Sequence, residues 1–179
     1  YKPNYPAITH LIMHELVHLD FVIEAREQGL NQLFISNKNH KINFIKDLGT
    51  TKRKLTKMGI SDDNISNYFS GLFDGINSQT FNTPIDLFIE NFLYEEYAEL
   101  RPYQFLSLFN MIQEGIKAVT DKKVLDISPS HIISKSKIYN LVNAIQFKSL
   151  YGIDLIKDFK ASKSELTLAN DFYNEFLEY

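Results

Sequence analysis

One apolar segment near the start of the chain most constrains the fold. It follows Pro6, runs from Ala7 to Arg26 and stops before Gly29, whose backbone freedom suits a helix C-terminus. Apolar residues at positions 8, 11, 12, 16, 19, 22 and 23 follow helical spacing, and further apolar side chains widen this surface: Met13, Val17 and Phe21. The pattern predicts a central helix that is buried on most sides.

Within this segment lies the sequence His14-Glu15-Leu16-Val17-His18, an HExxH arrangement. Residues four apart share one face of a helix, so both imidazoles can approach one cation at the Zn–N distance of about 2.0–2.1 Å. Glu15 lies beside that face, where it can take a proton from a water molecule that the metal acidifies. The motif therefore predicts zinc held by His14 and His18, with Glu15 as general base.

The predicted burial of this helix favours a metal over a chance match to the motif. Two histidines and a glutamate buried without partners would leave desolvated polar groups, each costing about 1–3 kcal/mol. A bound metal would satisfy these groups.

Zinc needs a third protein ligand, because catalytic sites use three protein ligands and leave one position open. The metzincin pattern would supply a histidine at position 24 after a glycine at position 21, but this chain has Glu24 and Phe21 there. Without the glycine the helix continues, and it turns Glu24 away from the face of His14 and His18. We expect Glu24 to be a solvated carboxylate.

A second predicted helix offers several carboxylates. Thr83 can cap it, Pro84 suits its first position, and Asp86 lies where a negative charge meets the helix dipole. The helix is expected to reach Arg101, before Pro102. Within it lie the candidate ligands Glu90, Glu95, Glu96 and Glu99.

At this point the chain resembles the gluzincin group of zinc peptidases. In that group, HExxH is followed tens of residues later by a helix with the pattern Glu-x-x-Ala-Asp or Glu-x-x-Ala-Asn, and Glu95-Glu96-Tyr97-Ala98-Glu99 matches it with Glu in the final position. The resemblance implies that Glu95 is the third zinc ligand. It also implies that Ala98 allows close helix contact and that Glu99 orients a ligand histidine.

The apolar pattern of the same helix gives a competing answer. Glu96 shares a face with an apolar stripe formed by Ile85, Ile89, Phe92, Leu93 and Leu100. A carboxylate in such a stripe should be paired or bound to metal, so Glu96 remains the alternative to Glu95. Glu90 lies on the side of Asp86 and Arg101, where we expect it to be solvated.

The remaining segments predict a mainly α fold with at most one small hairpin. Residues 33–36 and 41–45 can form two short strands around an Asn-rich turn, and a helix–loop–helix is the alternative. Further helices are predicted at residues 50–58, 62–76, 103–119, 131–150 and 164–177. We expect one zincin-like domain over residues 1–179, with two adjacent helices presenting the metal ligands.

Charge and composition exclude several classes of partner. The net charge is −3 with both signs interspersed, so no broad basic face is available for nucleic acid. The chain has no cysteine, so any metal site must be built from His, Asp and Glu. No apolar run approaches the roughly 20 residues of a membrane span, which predicts a soluble chain.

The N-terminal residues lack the pattern of a signal peptide. The chain also begins without methionine and reaches its motif early, which predicts a fragment that lacks an upstream segment.

The sequence therefore predicts a zinc metallopeptidase that hydrolyses peptide bonds in a peptide or protein substrate. Two alternatives stay open. One is an inactive helical interaction domain that retains the motif, and the other is a zinc hydrolase acting on a non-peptide bond.

Overall fold

The computed structural model describes residues 5–30 and 36–179, and within them the chain forms eight α-helices and no β-strand. The helices are α1 (Ile8–Glu27), α2 (Lys38–Asp47), α3 (Gly49–Lys57), α4 (Asp62–Glu96), α5 (Arg101–Thr120), α6 (Lys122–Ile127), α7 (Ser130–Tyr151) and α8 (Lys163–Leu177). Two short 3-10 helices lie at Ala98–Leu100 and Ile156–Phe159. The prediction of a mainly α fold is confirmed.

The predicted hairpin is wrong in its second half, because residues 41–45 lie inside α2. The Asn37 side chain accepts hydrogen bonds from the backbone N–H groups of Asn39 and His40, at 2.9 and 3.1 Å. The Asn-rich segment is therefore a helix cap rather than a strand turn. Residues 33–35 of the predicted first strand lie outside the described residues.

Helix α4 joins two segments that were predicted as separate helices. Pro84 lies inside it rather than at its start, although an interior proline costs about 3 kcal/mol or more. Its neighbours Thr83 and Leu87 are buried, and this packing holds the helix together across the proline. The helix ends at Glu96 instead of continuing to Arg101.

Two further boundaries differ from the prediction. Helix α8 is capped by Ser162 rather than Ser164: the Ser162 hydroxyl accepts from the Glu165 backbone N–H, and the Glu165 carboxylate accepts from the Ser162 backbone N–H. Helix α6, capped by Asp121, was not predicted.

The main core lies between α4, α5, α7 and α8. It is formed by Leu87, Leu108, Ile112, Val119, Leu141, Val142, Ala144, Phe147, Phe159, Ala169 and Tyr173. Helix α1 packs on α4 and α5 outside this core, through a smaller cluster of Val17, Ile89, Leu93 and Leu100. None of the described helices is both long and apolar enough to cross a membrane.

Helix α1 is buried on one side only, which corrects the prediction of a central buried helix. His10 and Val17 are buried, whereas an apolar row on the opposite face is exposed: Ile12, Leu16, Leu19 and Ile23, at 43–54%. The widened apolar pattern arises because each face of α1 carries apolar side chains, while only one meets α4 and α5.

Candidate metal centre

Helix α1 presents three histidines on the face that meets α4. His10, His14 and His18 follow at intervals of four residues, so they lie in one row. Their side chains are 2%, 17% and 26% exposed, so the row runs from the interior toward solvent.

Helix α4 places two carboxylates against this row of histidines, Asp86 and Glu90, which are also four residues apart. The Glu90 Oε2 atom lies 3.0 Å from His10 Nε2, and its Oε1 lies 2.8 Å from His14 Nδ1. Asp86 Oδ1 lies 3.5 Å from His14 Nε2 and 3.1 Å from His18 Nε2. Histidines and carboxylates thus alternate along the contact between the helices.

Apolar packing beside this row fixes the two helices in register. Val17 of α1 is 3% exposed, and Ile89 and Leu93 of α4 are fully buried in the same cluster. Because these residues are sequence neighbours of the polar row, their burial brings the histidines onto the carboxylates.

Glu90 is a buried carboxylate with a complete set of donors. Besides the two histidines, the Gln104 amide donates to Glu90 Oε2 at 2.6 Å and to the Glu90 backbone carbonyl at 2.8 Å. Tyr151 Oη donates in turn to Gln104 Oε1 at 2.7 Å, and burial together with the Glu90 charge raises the Tyr151 pKa, which keeps the phenol protonated. The network satisfies the buried charge.

The electrostatics favour an ion pair between His14 and the carboxylates. Burial acts to lower the pKa of His14. The hydrogen bonds to Asp86 and Glu90, together with the negative charges of these two carboxylates, outweigh burial and raise the pKa from 6.5 to about 10. Burial acts to raise the pKa of Glu90, but hydrogen bonds from His10, His14 and Gln104 and the His10 charge lower it from 4.5 to about 2.

His10 is a member of the cluster that the sequence analysis missed. Its Nε2 donates to Glu90, while its Nδ1 is buried without a hydrogen-bond partner among residues 5–30 and 36–179. Its position would have indicated it, because His10 precedes His14 by four residues and so lies on the predicted face of His14 and His18.

The donor set of His14, His18 and Asp86, two imidazoles and one carboxylate, is of the kind that binds zinc. One ligand atom from each lies within 4.8 Å of the others. Bonds of about 2.0–2.1 Å in a tetrahedron place ligand atoms roughly 3.3 Å apart. The distances of 3.5 and 3.1 Å from Asp86 Oδ1 to the two Nε2 atoms lie close to that value.

A second group of possible ligands, His10, His14 and Glu90, also lies within 4.8 Å. It lies deeper than the first group: the side chains of Glu90 and His10 are only 5% and 2% exposed, and Glu90 also accepts a hydrogen bond from Gln104. Glu90 therefore serves better to hold His14 Nδ1, which leaves His14 Nε2 directed at Asp86, where a metal would replace the proton between them.

The structure does not bring the predicted third ligand, Glu95 or its alternative Glu96, to the histidines, nor the predicted orienting carboxylate Glu99. Glu95, Glu96 and Glu99 are exposed, and the Asn91 amide donates to Glu95 at 3.1 Å. Glu95 follows Glu90 by five residues and so points roughly 140° away around α4. Glu96 is the last residue of α4, and Glu99 lies beyond it in the 3-10 turn.

The expectation that Glu90 is solvated is wrong, since the residue is 4% exposed. The sequence did place Glu90 on the same side of the helix as Asp86, but α4 meets α1 through that side. Glu24 is exposed as expected, and Gln28 donates to it at 3.1 Å.

Glu15 lies beside the ligand set at a cavity of about 170 Å³. Its wall is formed by residues of α5 and α7 and, on α1 and α4, by His10, Leu11, His14, Glu15, Asp86 and Glu90. His18 does not belong to this wall. Glu15 itself is exposed, so its carboxylate is open to a molecule that enters the cavity.

Comparison of the chain with models of known protein families, with curated proteins and with solved structures finds no match.

The paired shifts of His14 and Glu90 predict a stability maximum for the metal-free protein between about pH 4.5 and 6.5. Because the His14 pKa is raised, protonated His14 contributes its full stabilisation below pH 6.5, and this contribution is lost as pH rises toward about 10. Because the Glu90 pKa is lowered, ionised Glu90 contributes its full stabilisation above pH 4.5, and this contribution is lost as pH falls toward about 2. Urea unfolding measured at intervals of pH checks this. In His14→Gln the alkaline decline should shrink, and a parent protein whose stability stays level from pH 6.5 to 10 would contradict the prediction.

Proposed function

We propose that the chain is a zinc-dependent peptidase in which His14, His18 and Asp86 hold the metal and Glu15 transfers the proton. The observation that carries this proposal is the convergence of His14, His18 and Asp86, two of which, His14 and Asp86, line a cavity together with Glu15. A metal ligand set and a general base next to a space for substrate are the requirements of metal-assisted hydrolysis.

The proposal shares with the gluzincin pattern only the spacing of its carboxylates, because Ile89 stands where that pattern has alanine. The sequence pattern implied a ligand carboxylate at Glu95 and an orienting carboxylate four residues later. Asp86 and Glu90 have the same separation, and they lie nine positions earlier on α4. Asp86 would bind the metal, and Glu90 would orient His14.

Each residue of the site has a separate task in this mechanism. When bound, zinc would supply a Lewis acid that activates water and polarises the scissile carbonyl. Glu15 accepts the proton of the attacking water and passes it to the departing amine. Glu90 accepts a hydrogen bond from His14 Nδ1–H and so keeps Nε2 directed toward the metal position.

Metal uptake has to displace a proton from His14. Because Asp86 and Glu90 raise the pKa of His14 to about 10, both of its ring nitrogens are protonated in the metal-free protein at neutral pH. Zinc binding through Nε2 therefore releases a proton, and the affinity falls as pH falls.

The exposed apolar face of α1 supports the second candidate, an interaction domain. Ile12, Leu16, Leu19 and Ile23 form an exposed apolar row, which a protein partner would cover. This candidate predicts no hydrolysis by the protein, whereas the peptidase proposal predicts hydrolysis that depends on Glu15.

Substitution of the carboxylates should separate the metal ligand from the exposed residues. Asp86→Ala should weaken zinc binding by more than about 100-fold, and Glu90→Gln, which perturbs the orientation of His14, by about 10–100-fold. Glu95→Ala should leave the affinity unchanged. Competition with a chelator measures all three, with circular dichroism to confirm folding. A loss in Glu95→Ala that matches that in Asp86→Ala would contradict the assignment.

Glu15→Gln should keep zinc and stability but lose hydrolysis of denatured protein substrates by a factor of about 10²–10⁴ or more, because the amide cannot accept the proton. The matched control is Glu24→Gln, which removes an exposed carboxylate from the same helix and should retain activity. Equal activity in both variants would remove Glu15 from the mechanism. Absence of hydrolysis by the zinc-loaded parent would favour the interaction domain.

A further inference from the structure

The wall of the cavity opposite the histidines is formed by α5 and α7. Ser107, Leu108 and Met111 come from α5, and Asn143 and Gln146 come from α7. A molecule in the cavity therefore contacts His14, Asp86 and Glu15 on one side and this wall on the other.

Two polar side chains of this wall have no hydrogen-bond partner. Neither the Ser107 hydroxyl nor the Asn143 amide makes a hydrogen bond with another residue in the described part of the chain. Gln146 differs, because its amide donates to the Leu87 backbone carbonyl at 2.7 Å and so ties α7 to α4. Ser107 and Asn143 are left to bind what enters the cavity.

The size of the cavity limits it to one side chain. Its volume of about 170 Å³ is close to that of an engineered cavity of about 150 Å³ that binds benzene. Leu11, Leu108 and Met111 supply apolar surface for the stem of that side chain.

The polar wall is uncharged, which favours an uncharged polar end group. An aliphatic side chain would leave the Asn143 amide unpaired, and a desolvated amide without a partner is costly. Glu15, Asp86 and Glu90 lie on the other side of the cavity, where they repel a carboxylate and attract an ammonium group away from Asn143. A second amide matches best, because Asn143 offers one donor group and one acceptor group.

We propose that this cavity binds one substrate side chain next to the scissile bond and that Asn143 makes it selective for glutamine or asparagine. The inference rests on the proposed peptidase function for its place in the reaction, but the selectivity belongs to the cavity alone. Asn143 is a specificity-determining residue here, and Ser107 adds a hydroxyl group to the same wall.

The test is the binding of N-acetyl amino-acid amides with glutamine, leucine, lysine and phenylalanine side chains, which carry no strong zinc-binding group. Titration followed by NMR on the full, zinc-loaded chain should show the glutamine probe bound tightest. Asn143→Leu should weaken that binding about tenfold, since it removes the paired amide, and should strengthen binding of the leucine probe. Asn170→Leu, which replaces an exposed asparagine of α8 outside the cavity, should change neither.

Two controls separate this proposal from the proposed function. Zinc content and Glu15-dependent hydrolysis are measured on the same samples, and Asn143→Leu should retain its zinc. Glutamine preference without hydrolysis would refute the peptidase and leave the cavity proposal standing. Hydrolysis with equal binding of all four probes, or with no saturable binding of any, overturns the cavity proposal.

A second variant guards against misfolding of Asn143→Leu. Asn143→Asp keeps the size and polarity of the side chain and adds a negative charge, so it should move the preference from the glutamine probe to the lysine probe. An unchanged order of the four probes in Asn143→Asp would also overturn the proposal.

Discussion

The ion pair between Glu90 and His14 is the interaction on which the arrangement of the site depends. A carboxylate that is 4% exposed is stable in the fold only because His10, His14 and Gln104 all donate to it. These donors come from α1 and α5, while Glu90 belongs to α4. One buried charge therefore joins three helices, and it fixes the ring of His14 in the orientation that directs Nε2 at Asp86.

This orientation links the fold to the chemistry. With Nδ1 of His14 held by Glu90, the proposed metal position lies at the more exposed end of the histidine row, beside His18 and Asp86. At the interior end, His10 and Glu90 are hydrogen-bonded to each other, and both border the cavity that Glu15 also lines. The row therefore supports the buried carboxylate at one end and offers the proposed ligand set at the other, and His14 and Asp86 connect that set to the cavity.

The sequence was sufficient to predict single helices and the residues that share a helix face, but not which parts of two helices come into contact. Helical spacing gave α1 and the shared face of His14 and His18, because both depend on residues four apart. It could not show which turn of α4 meets α1, since packing between distant segments decides that. The pattern therefore predicted a helix start at Pro84 and a ligand at Glu95, whereas Pro84 lies inside α4 and Asp86 is the carboxylate beside His14 and His18. The matching intervals of four in the histidine and carboxylate rows were the overlooked signal.

Diffraction from zinc-soaked crystals, recorded at the zinc absorption edge, tests the central claim most directly. The account predicts one anomalous peak per chain, bonded to His14 Nε2, His18 Nε2 and the Asp86 carboxylate, with Glu90 still accepting from His14 Nδ1. Well-ordered crystals at saturating zinc that show these imidazoles bonded only to carboxylates, with no peak between them, would contradict it. So would a peak at Glu95.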